Sequence, residues 1–187
     1  VTPPGPVVRP GAEERAAKVR LLLLDVDGVL SDGGILYDGD GRESKRFHVR
    51  DGHGIVLLHR AGIETGIVSG RSSAATDVRA RELKIGIVRQ GVQDKAACFR
   101  EILEERGLSA EQVAFVGDDI VDLPALRAAG FAAAVADAEP YLFEAVHFVT
   151  SRRGGQGAVR EVAEFILRAT GNWEKACARY FPPGECR

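Results

Sequence analysis

Six short apolar runs recur along the chain: "VRLLLLDV", "GIETGIVSG", "IGIVRQG", "VAFVGDD", "FAAAVADA" and "AVHFVT". They are near-continuous rather than alternating, the pattern of strands covered on both faces. Amphipathic stretches separate them. "DGHGIVLLHRAG" closes with Gly62, and "KAACFREILEERG" closes with Gly107, a residue suited to a left-handed C-terminal cap. "SAEQ" at Ser109–Gln112 fits a short capping box, and "AVREVAEFILRATG" forms a last helix after a Gly-rich turn. Alternating β and α predicts the α/β class, with a parallel, doubly wound sheet. At 187 residues the chain suits one domain with a sizeable core, and it holds no internal repeat. The Pro- and Gly-rich opening "VTPPGPVVRPG" reads as a loose tail. The domain is therefore expected over 19–171, between tails at 1–18 and 172–187.

Several function classes are disfavoured at this point. The net charge is −2 with 28% charged residues, so bulk charge points to neither nucleic acid nor membrane. No apolar run approaches the ~20 residues of a membrane span. The opening residues hold no apolar h-region of a secretory signal. Cys98, Cys177 and Cys186 are odd in number and widely spaced, which fits a reducing, cytoplasmic setting better than a disulfide framework.

One segment breaks the rhythm. "GGILYDGDGRESKRFHV", Gly33 to Val49, reads as two strands around "DGDG". An isolated hairpin is marginal in water, so Ile35, Leu36, Tyr37 and Phe47 need a surface to pack on. That surface is either the chain's own domain or other subunits.

Ligands of open α/β sheets sit at the carboxyl ends of the strands, and the polar motifs of this chain fall there. Asp25 and Asp27 end the first run, on one strand face by the i, i+2 rule. Gly28 removes bulk beside them. "SGR", Ser69 to Arg71, ends the second run. Lys95 opens a helix after the third, and "GDDIVD" brings Asp118, Asp119 and Asp122 after the fourth. Taken singly, such an Asp or Ser is most often a turn residue or helix cap. Taken together, carboxylates converging from two strands repel unless a cation joins them. A hard cation with oxygen ligands, Mg²⁺ by preference, resolves this. Lys95 and Arg71 stand at predicted helix starts, where the macrodipole disfavours cations, and so suggest an anion bound between them. Anion, hard metal and free carboxylate together describe phosphoryl transfer. One aspartate attacks phosphorus and its neighbour moves the proton. Mg²⁺, Lys95 and Ser69 hold the phosphoryl oxygens.

These motifs resemble the haloacid dehalogenase superfamily: "DVDGV", "VSG", Lys95 and "GDDIVD" in that order. The resemblance implies a three-layer, Rossmann-like α/β core with a parallel sheet. It makes Asp25 the nucleophile and Asp27 the general acid/base. It binds Mg²⁺ through the Asp25 carboxylate, the Asp27 carbonyl and Asp118, with Asp119 and Asp122 supporting the metal or Lys95. With "VRDGHGI", "QGVQDK", "AVADAEP" and "GGQGAVREV", residues 19–171 look like the 3-deoxy-D-manno-octulosonate 8-phosphate (KDO 8-phosphate) phosphatase family. Its members are capless, cytoplasmic homotetramers built through the hairpin flap, and they feed the inner core of lipopolysaccharide. Its substrate contacts carry over to Asp27, His48, Val49, Arg50, Asp51, Gly52, Arg71, Arg79 and Lys95. His48 replaces an expected asparagine, and Gln156 stands where arginine is common. Arg71 and Arg79, two turns apart on one predicted helix, suit a substrate carboxylate. The turn Arg152–Gly157 is either a plain connection or part of a neighbour's site. His53, His59 and His147 lack metal-ligand spacing and read as structural.

Three alternatives remain at this stage. A sister phosphatase acts on nine-carbon ulosonate 9-phosphates, and such enzymes tend to carry glutamate where Arg71 stands. A phospho-acceptor signalling domain would lack an acid/base beside the phosphorylated Asp. A catalytically silent assembly domain would not keep every motif residue.

Overall fold

The computed structural model describes residues 5–181 and 185. Residues 1–4 and Cys186, both within the expected tails, lie outside these. In chain order the elements are β1 (Val7–Val8), α1 (Ala12–Ala16), β2 (Leu21–Leu24), β3 (Leu36–Tyr37), β4 (Glu43–Ser44), α2 (Val49–Ala61), β5 (Glu64–Val68) and α3 (Ala74–Leu83). There follow β6 (Ile87–Arg89), α4 (Lys95–Arg106), β7 (Val113–Gly117), α5 (Leu123–Ala128), β8 (Phe131–Ala134), β9 (Phe148–Val149), α6 (Ala158–Ala169) and α7 (Trp173–Cys177).

Seven strands form one sheet in the order β1-β9-β8-β7-β2-β5-β6, parallel except for β1. The six apolar runs supply its six parallel strands. Leu21 to Leu24 of β2 are fully buried because β2 lies between β5 and β7 and is covered on both faces. Among the helices, α1, α2, α6 and α7 pack on one another, and α4 packs on α5. Gly62 and Gly107 close α2 and α4, and Ser109 with Gln112 makes the capping box. Each parallel strand thus delivers its last residues to a common edge of the sheet.

The N-terminal expectation needs correction. Val7 and Val8 pair antiparallel with Val149 and Phe148, and Ala12 and Ala16 of α1 are fully buried. Two valines suffice for an edge strand, and two alanines at i, i+4 make a small apolar face. The C-terminal side also continues past 171. Ala176 and Cys177 of α7 are buried, Arg168 lies 4.5 Å over the Trp173 ring, and Arg60 donates to the Tyr180 hydroxyl at 3.0 Å.

The hairpin forms as read, with Leu36 opposite Ser44 and Tyr37 opposite Glu43 in a separate two-stranded sheet. Phe47 packs on the domain's own core, whereas Ile35, Leu36 and Tyr37 are exposed.

Candidate active site

Adjacent parallel strands β2 and β7 end in register, Leu24 beside Val116. Asp25 and Asp118 therefore leave the sheet side by side. Each of Asp25, Asp118 and Asp122 offers a carboxylate oxygen within 4.8 Å of the others. Lys95, first residue of α4, enters from below: its Nζ lies 3.0 Å from Asp25 Oδ1 and 2.5 Å from Asp122 Oδ1. Asp122 is fully buried, and its Oδ2 accepts the backbone N–H of Asp118 at 2.9 Å and of Asp119 at 3.3 Å. Its capacity is spent on Lys95 and the turn. Asp118 is half-buried beside it, and Asp25 is buried against Lys95.

The electrostatics follow from one ammonium among three carboxylates. Burial, then the Asp122 charge, lifts Asp25 to about 7, against the pull of Lys95. Burial, then Asp25, Asp122 and Asp119, lifts Asp118 to about 8. Lys95 is held above its usual range: burial alone would lower it, but Asp25 and Asp122 outweigh burial. The surplus of negative charge and the all-oxygen donor set fit a hard divalent cation. Gly28 leaves room for the Asp118 carboxylate, which a Cβ there would overlap.

Asp27 points elsewhere. Its Oδ1 accepts from Lys45, and its Oδ2 lies 3.6 Å from Arg71 Nε. Ser69 is buried just past β5, its N–H donating to the Arg89 carbonyl at 2.9 Å.

A matching family model, haloacid dehalogenase-like hydrolase, covers residues 53–130. The 3-deoxy-D-manno-octulosonate 8-phosphate phosphatase KdsC of Yersinia pestis is 45% identical over 163 residues, 87% of either chain. The chain belongs to this phosphatase family of haloacid dehalogenase-like hydrolases. KdsC of Salmonella typhimurium is 43% identical over 172 residues, 92% of this chain and 91% of that one. The crystal structure of the Moraxella catarrhalis phosphatase, in complex with a magnesium ion, a phosphate ion and a KDO molecule, superposes with a TM-score of 0.89. That pair is 39% identical over 91% of this chain and 98% of the other.

In this member of the phosphatase family the remaining expected site residues are dispersed around α2 and α3. Arg71 is not on a helix with Arg79, because α3 starts only at Ala74, after Ser73 at the N-cap. Serines favour the cap over the interior. Arg71 instead pairs with Glu43 at 2.6 Å, 3.4 Å from the Tyr37 hydroxyl. Arg79 donates to the His48 carbonyl at 3.4 Å, pairs with Glu82, and closes against Gly52. His48 caps α2, its Nδ1 accepting the Arg50 N–H at 3.2 Å, while Val49 and Arg50 are exposed.

Two of the expected residues turn their carboxylates away from the cluster. Asp51 is buried and accepts the N–H groups of Gly157 at 3.1 Å and Arg160 at 2.8 Å, so its carboxylate caps α6 and leaves only its backbone for a ligand. Asp119 turns to its own loop and to Tyr141, whose hydroxyl donates to Oδ1 at 2.7 Å, so it supports neither Lys95 nor the cluster directly. The Gly-rich turn packs within its own chain: Gly155 N–H donates to the Val29 carbonyl at 2.9 Å, and Gly154 N–H to Asp137 at 2.9 Å. His53, His59 and His147 bond Tyr180, Thr65 and the Ala132 N–H respectively.

Glu43 and Lys45 went unremarked in the sequence. The signal was there: charged residues at i and i+2 of a strand share one face, so a two-stranded flap can aim both inward.

Proposed function

We propose that this phosphatase hydrolyses KDO 8-phosphate to KDO and inorganic phosphate through an aspartyl-phosphate at Asp25. The observation that carries it is the cluster of Asp25, Asp118 and Asp122 at the strand ends, with buried Lys95 pairing with Asp25 and Asp122, while Asp27 lies two residues on, outside that cluster. The substrate preference is supported by the KDO complex of the Moraxella catarrhalis relative.

Mg²⁺, held by the carboxylates of Asp25 and Asp118 and the Asp27 carbonyl, supplies charge neutralisation at the phosphoryl oxygens when bound. Asp25 Oδ attacks phosphorus, and the ester P–O bond breaks as Asp27 gives its proton to the leaving alkoxide. Water then attacks phosphorus, Asp27 takes the water's proton, and the Asp25–phosphorus bond breaks. Lys95 keeps Asp25 oriented throughout, with Asp122 as its anchor. Ser69 and Lys95 are suited to hold the phosphoryl oxygens. Arg71, Arg79 and the backbone at residues 48–52 are assigned to the sugar-acid end.

The family context supports a cytoplasmic step toward the lipopolysaccharide inner core. Among the described residues no helix is long and apolar enough to cross a membrane. Exposed Ile35, Leu36 and Tyr37 on the hairpin favour a homotetramer assembled through the flap. Sedimentation equilibrium returning a single-chain mass would remove that assembly.

The deciding assay is phosphate release from KDO 8-phosphate with Mg²⁺, beside a nine-carbon ulosonate 9-phosphate and the Asp25→Asn variant. The reading expects preference for the eight-carbon substrate and a loss of at least ~10³-fold in the variant. Full activity in Asp25→Asn overturns the mechanism; equal rates on both substrates overturn the preference.

A further inference from the structure

The second strand of the flap and the residue after it send two side chains, Glu43 and Lys45, into the site that the chemistry above does not use. The Lys45 side chain is 1% exposed, although β4 itself lies at the surface. Its ammonium donates to Asp27 Oδ1 and stands 3.0 Å from Glu43 Oε1. Glu43, 14% exposed at the side chain, pairs through Oε2 with Arg71 at 2.6 Å, and Arg71 returns to Asp27 Oδ2 at 3.6 Å. Two cations and two carboxylates thus alternate in a closed ring, with Asp27 as one member. An ammonium withdrawn from water is costly unless paired, and half of this pairing is to the candidate acid/base. Glu43 is held down at about 2, chiefly by its bond to Lys45 and, against burial, by Arg71.

We propose that Lys45 is a positioning residue for proton transfer: it tethers Asp27 by Oδ1, so that Oδ2 is the oxygen that carries the proton. The inference rests on the phosphatase reading. As Asp25 bonds to phosphorus and the ester P–O bond breaks, the proton on Asp27 Oδ2 passes to the departing oxygen. When water's oxygen bonds to phosphorus and the O–P bond of the Asp25 acyl-phosphate breaks, a water proton returns to Oδ2. Lys45 keeps its own protons throughout. Without the tether, Asp27 is free to turn toward Arg71 alone, and the proton is no longer aimed at the leaving group. Glu43 acts one step behind, locking Lys45 and Arg71 together so that the flap and Asp27 move as one unit.

The test compares two leaving groups on one preparation of enzyme. KDO 8-phosphate leaves as a primary alkoxide and needs the proton; p-nitrophenyl phosphate leaves as a stabilised phenolate and needs it little. For Lys45→Met the expected fall in kcat is ~10- to 100-fold on the alkyl substrate and several-fold smaller on the aryl one. Lys45→Arg, which keeps a cation and donors, is expected to recover most of the alkyl rate. Equal falls on both substrates, as misfolding or lost phosphate binding would give, overturn the proposal. Wild-type enzyme that turns over neither substrate overturns the phosphatase reading itself. Wild-type turnover of the aryl substrate alone overturns both the substrate assignment and the positioning role.

Discussion

Gly28 turns the backbone out of β2 with φ +82°, and a Cβ there would collide with Asp118 Oδ2. The side chain at risk belongs to the carboxylate cluster at the strand ends. Gly28→Ala is therefore expected to weaken Mg²⁺ by ~10- to 100-fold, the range for disturbing the support of a metal ligand. Mg²⁺ titration by calorimetry checks this; an unchanged Mg²⁺ affinity would mean that Asp118 does not hold the metal. At this scale much of the site was legible. Asp25, Ser69 and Asp118 directly follow apolar runs, so strand ends alone bring them to one edge of the sheet. Asp119 and Asp51 turn their carboxylates elsewhere for one reason: a carboxylate beside a helix start can serve the backbone as readily as a ligand. Nothing in the neighbouring residues says which. Lys45 was legible only in part: its i, i+2 spacing puts it on one face with Glu43, but which face turns inward depends on how the hairpin folds back.

At the scale of elements, Asp51 links α2 to α6 across more than a hundred residues of chain. Both of its oxygens satisfy N–H groups at the α6 start, where Gly157 at the N-cap offers no side-chain oxygen of its own. Asp51→Ala leaves those donors buried and unpaired, and is expected to cost roughly 2–3 kcal/mol. Urea unfolding measures it; a loss under ~0.5 kcal/mol would show the cap to be replaceable by water. The same contact explains why the Gly-rich turn is built into its own domain. Gly154 packs so closely on the Gly28 carbonyl that a Cβ would overlap it, and Arg153 pairs with Asp137 at 3.0 Å. Long apolar strands and capped helices were readable because periodicity is local. The edge pair β1–β9 was not, since two valines after prolines become a strand only when Phe148 and Val149 offer a free edge.

For the whole molecule, two sets of groups bound stability from opposite sides of neutrality. His53, His59 and His147 are all lowered from 6.5, with burial the first cause for each; arginines add to it for His53 and His147. The folded state binds fewer protons there, so their contribution is full above pH 6.5 and is lost as pH falls through the folded values. Asp25 and Asp118 do the reverse. Raised from 3.8 to about 7 and about 8, they make the metal-free fold bind extra protons, and that contribution is lost as pH rises through those values. If the proposed site holds Mg²⁺, the ion would bind the ionised carboxylates and cancel the alkaline loss. In chelator, thermal stability is expected to peak at roughly pH 6–7 and to decline on both sides. At a hundred times its Kd, Mg²⁺ adds about 2.7 kcal/mol, which for a chain of this size raises Tm by roughly 5–10 °C. At fixed Mg²⁺ the increment should widen from pH 6 to pH 8.5, because protons compete for the same oxygens at the lower value. Thermal scans across that range, with and without Mg²⁺, decide the matter. An increment that is flat or shrinks toward alkaline pH would mean that the metal is not held by Asp25 and Asp118, and the surplus charge at the strand ends would need another partner.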